Sequence, residues 1–140
     1  MYSLPIRAIT GSRRIGEAQM ARVMIVDDSP TDALNLKKIL RKAGHEVIEA
    51  SSGNDAIPKV RSEQPDCVFM DVVMPGINGF QATRTLSRDP ATAKIPIIVC
   101  SSKDQETDRV WALRQGAREY LVKPVKESEL LAKLRNILGG

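Results

Sequence analysis

Residues 66–80 read DCVFMDVVMPGINGF. An unbroken apolar run, Cys67 to Met70, ends on a single carboxylate, Asp71, and the chain then passes through Met74, Pro75, Gly76, Asn78 and Gly79. A short apolar run bounded by turn residues fits a strand covered on both faces, as in a parallel sheet; a half-solvated strand would alternate. An acid at the tip of such a strand either caps the next element or is held out for chemistry.

Working outward, the same signature recurs. RVMIVDD (22–28), IPIIVCSS (95–102) and EYLVKP (119–124) are near-continuously apolar runs that end in polar residues, and HEVIEA (45–50) alternates as an edge strand does. Between the strands lie helical patterns. SPTDALNLKKILRKAG (29–44) has Ser29 as N-cap, Pro30 at the first helical position, Asp32 at the positive end and Gly44 as a stop, with Ala33, Leu36, Leu40 and Ala43 on its apolar face. NDAIPKVRSEQ (54–64) is weaker, because Pro58 must lie near its first turn or kink it. FQATRTLSR (80–88), DQETDRVWALRQG (104–116) and KESELLAKLRNIL (126–138) follow, the last with Leu130, Leu131, Leu134, Ile137 and Leu138 in one stripe. Strands alternating with helices in this way predict an open, doubly wound α/β sandwich on a parallel sheet. The sequence shows no repeat and no low-complexity segment.

Length and composition agree with this. With 140 residues, 42% of them hydrophobic and 27% charged, the chain suits one domain with a real core, and no stretch reaches the length of a membrane span. The net charge of +4 does not point to nucleic acid: basic and acidic residues are interspersed, and Arg7, Arg13 and Arg14 against Glu17 supply +2 of it from residues 1–19 alone. MYSLPIRAITGSRRIGEAQ (1–19) has neither the apolar core nor the cleavage site of a signal peptide and no helix or strand period. Met20 reads as a natural start, and Gly16-Glu17 can be encoded as GGAGAA, a ribosome-binding sequence shortly before it. Residues 1–19 are therefore expected to be a disordered leader, with a domain over 20–140. Cys67 and Cys100 sit in apolar runs without metal-type spacing and read as buried thiols of a reducing cytosol.

In a doubly wound sheet, ligands bind at the carboxyl ends of the strands. The first strand delivers Asp27 and Asp28 there, the third Asp71, the fourth Ser101 and Ser102, and the fifth Lys123 followed by Pro124. Capping accounts for Asp28 or Ser29 but not for four strands sending polar groups to one edge. Three clustered carboxylates require a counter-charge, and their hard oxygens suit Mg²⁺. Lys123 is a compact point charge suited to a phosphoryl group. Cation, lysine, hydroxyl and one carboxylate together describe phosphoryl transfer to an aspartate.

The motifs VDDSP, FMDVVMPGINGF, CSS after the fourth strand, and YLVKPV, in this order and spacing over residues 20–140, resemble the response-regulator receiver family. MPGINGFQATRTL and SSKDQETDRVWALRQGAREYLVKPV further resemble single-domain regulators of twitching motility, the chemotaxis-like systems that control type IV pili. The resemblance implies a flavodoxin-like receiver fold: a five-stranded parallel sheet of order 2-1-3-4-5 with five helices. It implies Asp71 as phosphoacceptor, and Mg²⁺ (or Mn²⁺) held by Asp27, Asp28, Asp71 and the backbone carbonyl of Val73. Ser101 would bind the phosphoryl group, Lys123 would pair with one of its oxygens, Tyr120 would turn inward as an aromatic switch when Ser101 moves, and the Lys123–Pro124 bond would be cis.

It implies a cytoplasmic protein, a monomer or weak dimer, phosphorylated by a histidine kinase. Output would run through a partner at the face of the fourth helix, fifth strand and fifth helix, or the protein would act as a phosphate sink; neither nucleic acid nor membrane insertion is involved. Catalysis would be confined to its own phosphorylation and dephosphorylation. Val73, apolar where many relatives are polar, and the cationic Lys103 are expected to flank the water that hydrolyses the acyl phosphate and so to tune its lifetime. The enzymatic alternative is a Mg²⁺-dependent aspartyl-phosphate phosphatase of the haloacid-dehalogenase type, which wants an acid at the position of Val73. An inert scaffold is the third. Trp111 is expected in the core and His45 in solvent, without phosphodonor or ligand role, with Met24, Met70 and Met74 as fillers.

Overall fold

The computed structural model describes residues 20–139, so the expectation for residues 1–19 lies outside them. Strands β1 (Arg22–Val26), β2 (Glu46–Ala50), β3 (Cys67–Asp71), β4 (Ile97–Ser101) and β5 (Glu119–Val122) alternate with helices α1 (Pro30–Lys42), α2 (Gly53–Glu63), α3 (Gly79–Arg88), α4 (Glu106–Arg114) and α5 (Glu127–Ile137). All strands pair in parallel, in the order β2-β1-β3-β4-β5.

The apolar runs become strands buried on both sides because successive side chains point to opposite faces. Met24, Val26, Val68, Met70, Val99 and Tyr120 meet Ala56, Val60, Ala82, Leu86 and Ala112 of α2, α3 and α4. Val23, Ile25, Cys67, Phe69, Cys100 and Leu121 meet Leu36, Ile39, Leu40, Leu130 and Leu134 of α1 and α5. β3 and β4 are buried throughout, whereas β2 at the edge is buried only at Ala50. Both cysteines are free and buried, and burial pushes both thiols far up. Met24, Met70 and Met74 are buried apolar residues, as expected.

Local signals set the helix ends. Ser29 caps α1, its Oγ accepting from the Asp32 N–H, and Gly44 follows the helix at φ +94°. Four details differ from expectation. Ile39 rather than Ala43 completes the buried face of α1. Pro58 lies in the second turn of α2, which runs on to Glu63. His45 does not simply face solvent: its Nδ1 accepts from the Ala21 N–H at 3.0 Å. Trp111 is 48% exposed rather than in the core. The short α4 has Ala112 as its sole buried residue, and Ala112 shares its apolar layer with the buried Tyr120 ring. Trp111, one residue before Ala112, is turned about 100° away from it.

Candidate functional site

The carboxyl ends of β1, β3 and β4 converge because these strands are neighbours in the sheet, and the turn after β5 closes over them. Carboxylate oxygens of Asp27, Asp28 and Asp71 all lie within 4.8 Å of one another. Asp27 and Asp71 are buried and Asp28 is exposed. Asp27 Oδ1 accepts from the Ser29 N–H at 2.9 Å, which fixes the carboxylate as the chain turns into α1.

Lys123 donates to three carboxylates at once: Asp71 Oδ1 at 2.9 Å, Asp27 Oδ2 at 3.0 Å and Asp32 Oδ2 at 3.0 Å. Its backbone N–H donates to the Ser101 carbonyl at 2.8 Å, tying the turn after β5 to the end of β4, and the Lys123–Pro124 peptide is cis. Burial alone would lower the pKa of this ammonium, but the hydrogen bonds it donates to Asp71, Asp27 and Asp32 outweigh it and hold it above the usual lysine range. Burial pushes the Asp71 carboxyl up; the hydrogen bond from Lys123 opposes that, and the nearby Asp27 charge adds to it. A further cation here would relieve the remaining repulsion. Three carboxylates and no soft donor among them fit a small hard divalent ion such as Mg²⁺.

The loop of residues 72–78 keeps the front of Asp71 open. The Gly79 N–H donates to the Val72 carbonyl at 2.9 Å, closing the loop at its base. A Cβ on Gly79 would overlap the Asp71 carbonyl, so only glycine lets α3 start this close to the end of β3. Asn78 caps α3 through a reciprocal pair with Gln81, both bonds at 2.9 Å. A cavity of about 440 Å³ opens over Asp71, with Asp28, Asp32, Val73, Ser101 and Lys123 on its walls. Val73 is 69% exposed there.

Ser101 is buried at the end of β4, and its Oγ accepts from the Lys103 N–H at 3.1 Å. The Lys103 carbonyl accepts from the Tyr120 hydroxyl at 2.7 Å. One short loop thus links a hydroxyl on the cavity wall to an aromatic ring in the core, while the Lys103 side chain is at the surface. Arg109 lies 5.6 Å from the centroid of that ring.

The structure therefore gathers Asp27, Asp28, Asp71, Val73, Ser101 and Lys123 around one cavity and sets Tyr120 and Lys103 behind it. It adds Asp32. In sequence Asp32 looks like an ordinary acid in the first turn of a helix, and nothing local reveals that it reaches a lysine 91 positions away.

Comparison with known proteins agrees with this arrangement. The response regulator receiver domain family matches residues 23–135. The chain is 54% identical over 121 residues to the protein PilH of Pseudomonas aeruginosa, covering 86% of this chain and all of that one. Among solved structures it is similar to chemotaxis protein CheY4 of Vibrio cholerae, with a TM-score of 0.79, 28% identity, and coverage of 85% of this chain and 99% of that one. It is similar also to the receiver domain of a sensor histidine kinase from Pseudomonas aeruginosa, which has a magnesium ion coordinated in its active-site cleft. That match has a TM-score of 0.80 and 27% identity and covers 87% of this chain and all of that one. With a parallel sheet in the order 2-1-3-4-5, five flanking helices and this likeness in sequence and structure, the chain belongs to the response regulator receiver domain family and has its flavodoxin-like fold.

Proposed function

We propose that this protein is a phosphoacceptor switch: Asp71 takes a phosphoryl group from the phosphohistidine of a histidine kinase, with Mg²⁺ bound at Asp27, Asp28, Asp71 and the Val73 carbonyl. The observation that carries the reading is the buried Asp71 carboxylate, 2.9 Å from Lys123 and within 4.8 Å of two further carboxylates, at the floor of an open cavity. Asp71 attacks phosphorus as the P–N bond of the donor breaks and the imidazole leaves. Mg²⁺, when bound, offsets charge on the transferred group. Lys123 moves one contact from Asp71 to a phosphoryl oxygen, which keeps its charge compensated throughout.

The Ser101 hydroxyl bonds the new group by moving towards it, and that movement takes its Oγ away from the Lys103 N–H it accepts from at rest. That displaces the loop whose carbonyl holds the Tyr120 hydroxyl, so a local charge change biases the packing of Tyr120 and α4. Output then runs through a partner at the α4, β5 and α5 face, where Val110, Trp111 and Leu113 are exposed, or the protein drains phosphate from a shared kinase. Likeness to PilH supports a place in chemotaxis-like control of type IV pili. Among the described residues no helix is long and apolar enough to cross a membrane, which fits a cytoplasmic switch. The phosphatase alternative finds no support, since position 73 carries valine where that chemistry wants an acid.

Incubation with Mg²⁺ and acetyl phosphate tests the proposal. It predicts a stoichiometric, slowly decaying increment of one phosphoryl group on Asp71, absent in Asp71→Asn. Multiple turnover of the donor, or modification elsewhere, would count against it.

A further inference from the structure

Among the described residues, Asp32 is the one carboxylate on Lys123 that stands outside the candidate metal cluster. Its helical position, the third of α1, is where an acid normally reaches back to the N-cap backbone N–H. Here that partner is taken: the Ser29 N–H donates to Asp27 Oδ1. The Asp32 carboxylate instead turns across to Lys123 at 3.0 Å, half-exposed, on the wall of the cavity that opens over Asp71. A second cavity, of about 330 Å³, is lined by Asn35 and Val125 and shares Asp32, Lys123 and Pro124 with the first, so Asp32 borders both openings.

A phosphoryl donor in the cavity over Asp71 comes close to this negative charge, which lies on the cavity wall. For a small free donor such as an acyl phosphate dianion, the repulsion from Asp32 offsets part of the attraction of Lys123 and is not made up by contacts elsewhere. A donor presented by a docked protein brings binding energy from contacts outside the cavity, so the same repulsion costs it a smaller share of its affinity. Before transfer, Asp32 shares the Lys123 ammonium with Asp27 and Asp71; during transfer, it competes with the phosphoryl oxygens for it.

We propose, resting on the acceptor reading of Asp71 given above, that Asp32 is a positioning and selectivity residue: it holds Lys123 and discriminates against small anionic phosphodonors. Removing its charge without changing its shape opens the site to them. At low ionic strength the apparent second-order rate of Asp71 phosphorylation by acetyl phosphate should rise roughly fivefold in Asp32→Asn, the effect of one charge near the path of a dianion. The gap should close at high ionic strength, where such an interaction is screened. Asp32→Glu should follow the wild type.

A metal-free measurement gives a second readout. The Lys123 ammonium should exchange with solvent several-fold faster in Asp32→Asn, followed by nitrogen-detected NMR of the lysine side chain. Equal rates for wild type and Asp32→Asn at low salt, a difference that salt does not alter, or Asp32→Glu behaving like the asparagine variant would each overturn the inference while leaving the acceptor reading intact. A wild type that is not modified on Asp71 at all would instead remove the acceptor reading, and this inference with it.

Discussion

At the scale of single residues, the chemistry rests on how charge is compensated around Asp71. Its carboxyl is held above the usual carboxylate range, chiefly by burial. The folded protein therefore binds that proton more tightly than the unfolded chain does. Stability contributed by this group is greatest in acid and falls as pH rises from the ordinary carboxylate pKa through the raised one. Asp71→Asn removes the effect. Urea unfolding of the metal-free proteins should show a wild-type deficit relative to Asp71→Asn that is small in acid, grows towards neutral pH and then levels; a pH-independent difference would contradict it. Mg²⁺ should shrink the deficit, because an ion held by Asp27, Asp28 and Asp71 would bind only the folded wild type and compensate the same charge.

Two neighbours are proposed to act on the lifetime of the phosphorylated state rather than on acceptance. Val73 is exposed on the cavity wall and the Lys103 side chain lies at the surface beyond Ser101. Dephosphorylation rates of Val73→Asn and Lys103→Glu should each differ from the wild type by several-fold, with phosphorylation by Mg²⁺ and donor retained. Unchanged decay in both would remove these positions from the hydrolytic path.

At the scale of elements, the junction of β3 and α3 does most to shape the site. Ala in place of Gly79 gains at most about 1 kcal/mol of backbone entropy. Its Cβ meets the Asp71 carbonyl, an overlap that must be relieved by moving backbone, at about 3 kcal/mol. Overlap wins, so Gly79→Ala should be net destabilising by about 2 kcal/mol in chemical denaturation, and should weaken Mg²⁺ binding because Asp71 moves. Asn78→Ala removes one bond of the capping box and should cost about 1 kcal/mol while leaving the Asp71 backbone where it is. Comparison of the two separates a loosened helix from a displaced acceptor.

The elements also show what the sequence discloses. The caps Ser29 and Gly44, the edge character of β2 and the double burial of β3 and β4 are legible because each depends on near neighbours or on a period of two. Trp111 is not legible in this way. Whether an indole faces in or out depends on what already packs in the core, and in that layer Tyr120 of β5 is buried together with Ala112 of α4. The second-turn position of Pro58 escapes for a related reason: α2 packs Ala56 and Val60 against the core, and that packing carries the helix past a residue that weakens it.

At the scale of the whole molecule, one sheet divides two apolar layers and places every group of the site along one edge. Cys67 and Cys100 sit in the layer under α1 and α5, with their thiols pushed far up by burial. They serve as reporters of global opening. Native protein at neutral pH should resist a thiol reagent, and both cysteines should react together as urea carries the protein through its unfolding transition. Rapid labelling of either under native conditions would show that the α1 and α5 layer opens by itself.

The amino-acid sequence by itself determined the alternation of strands and helices and which residues each strand carries to its carboxyl end, since both follow from local periodicity, capping and turn chemistry. Tertiary structure alone decided which of those residues meet. Lys123 is brought to Asp27, Asp32 and Asp71 from across the sheet, over separations of 96, 91 and 52 residues, because strand order and register set distances that no local pattern encodes.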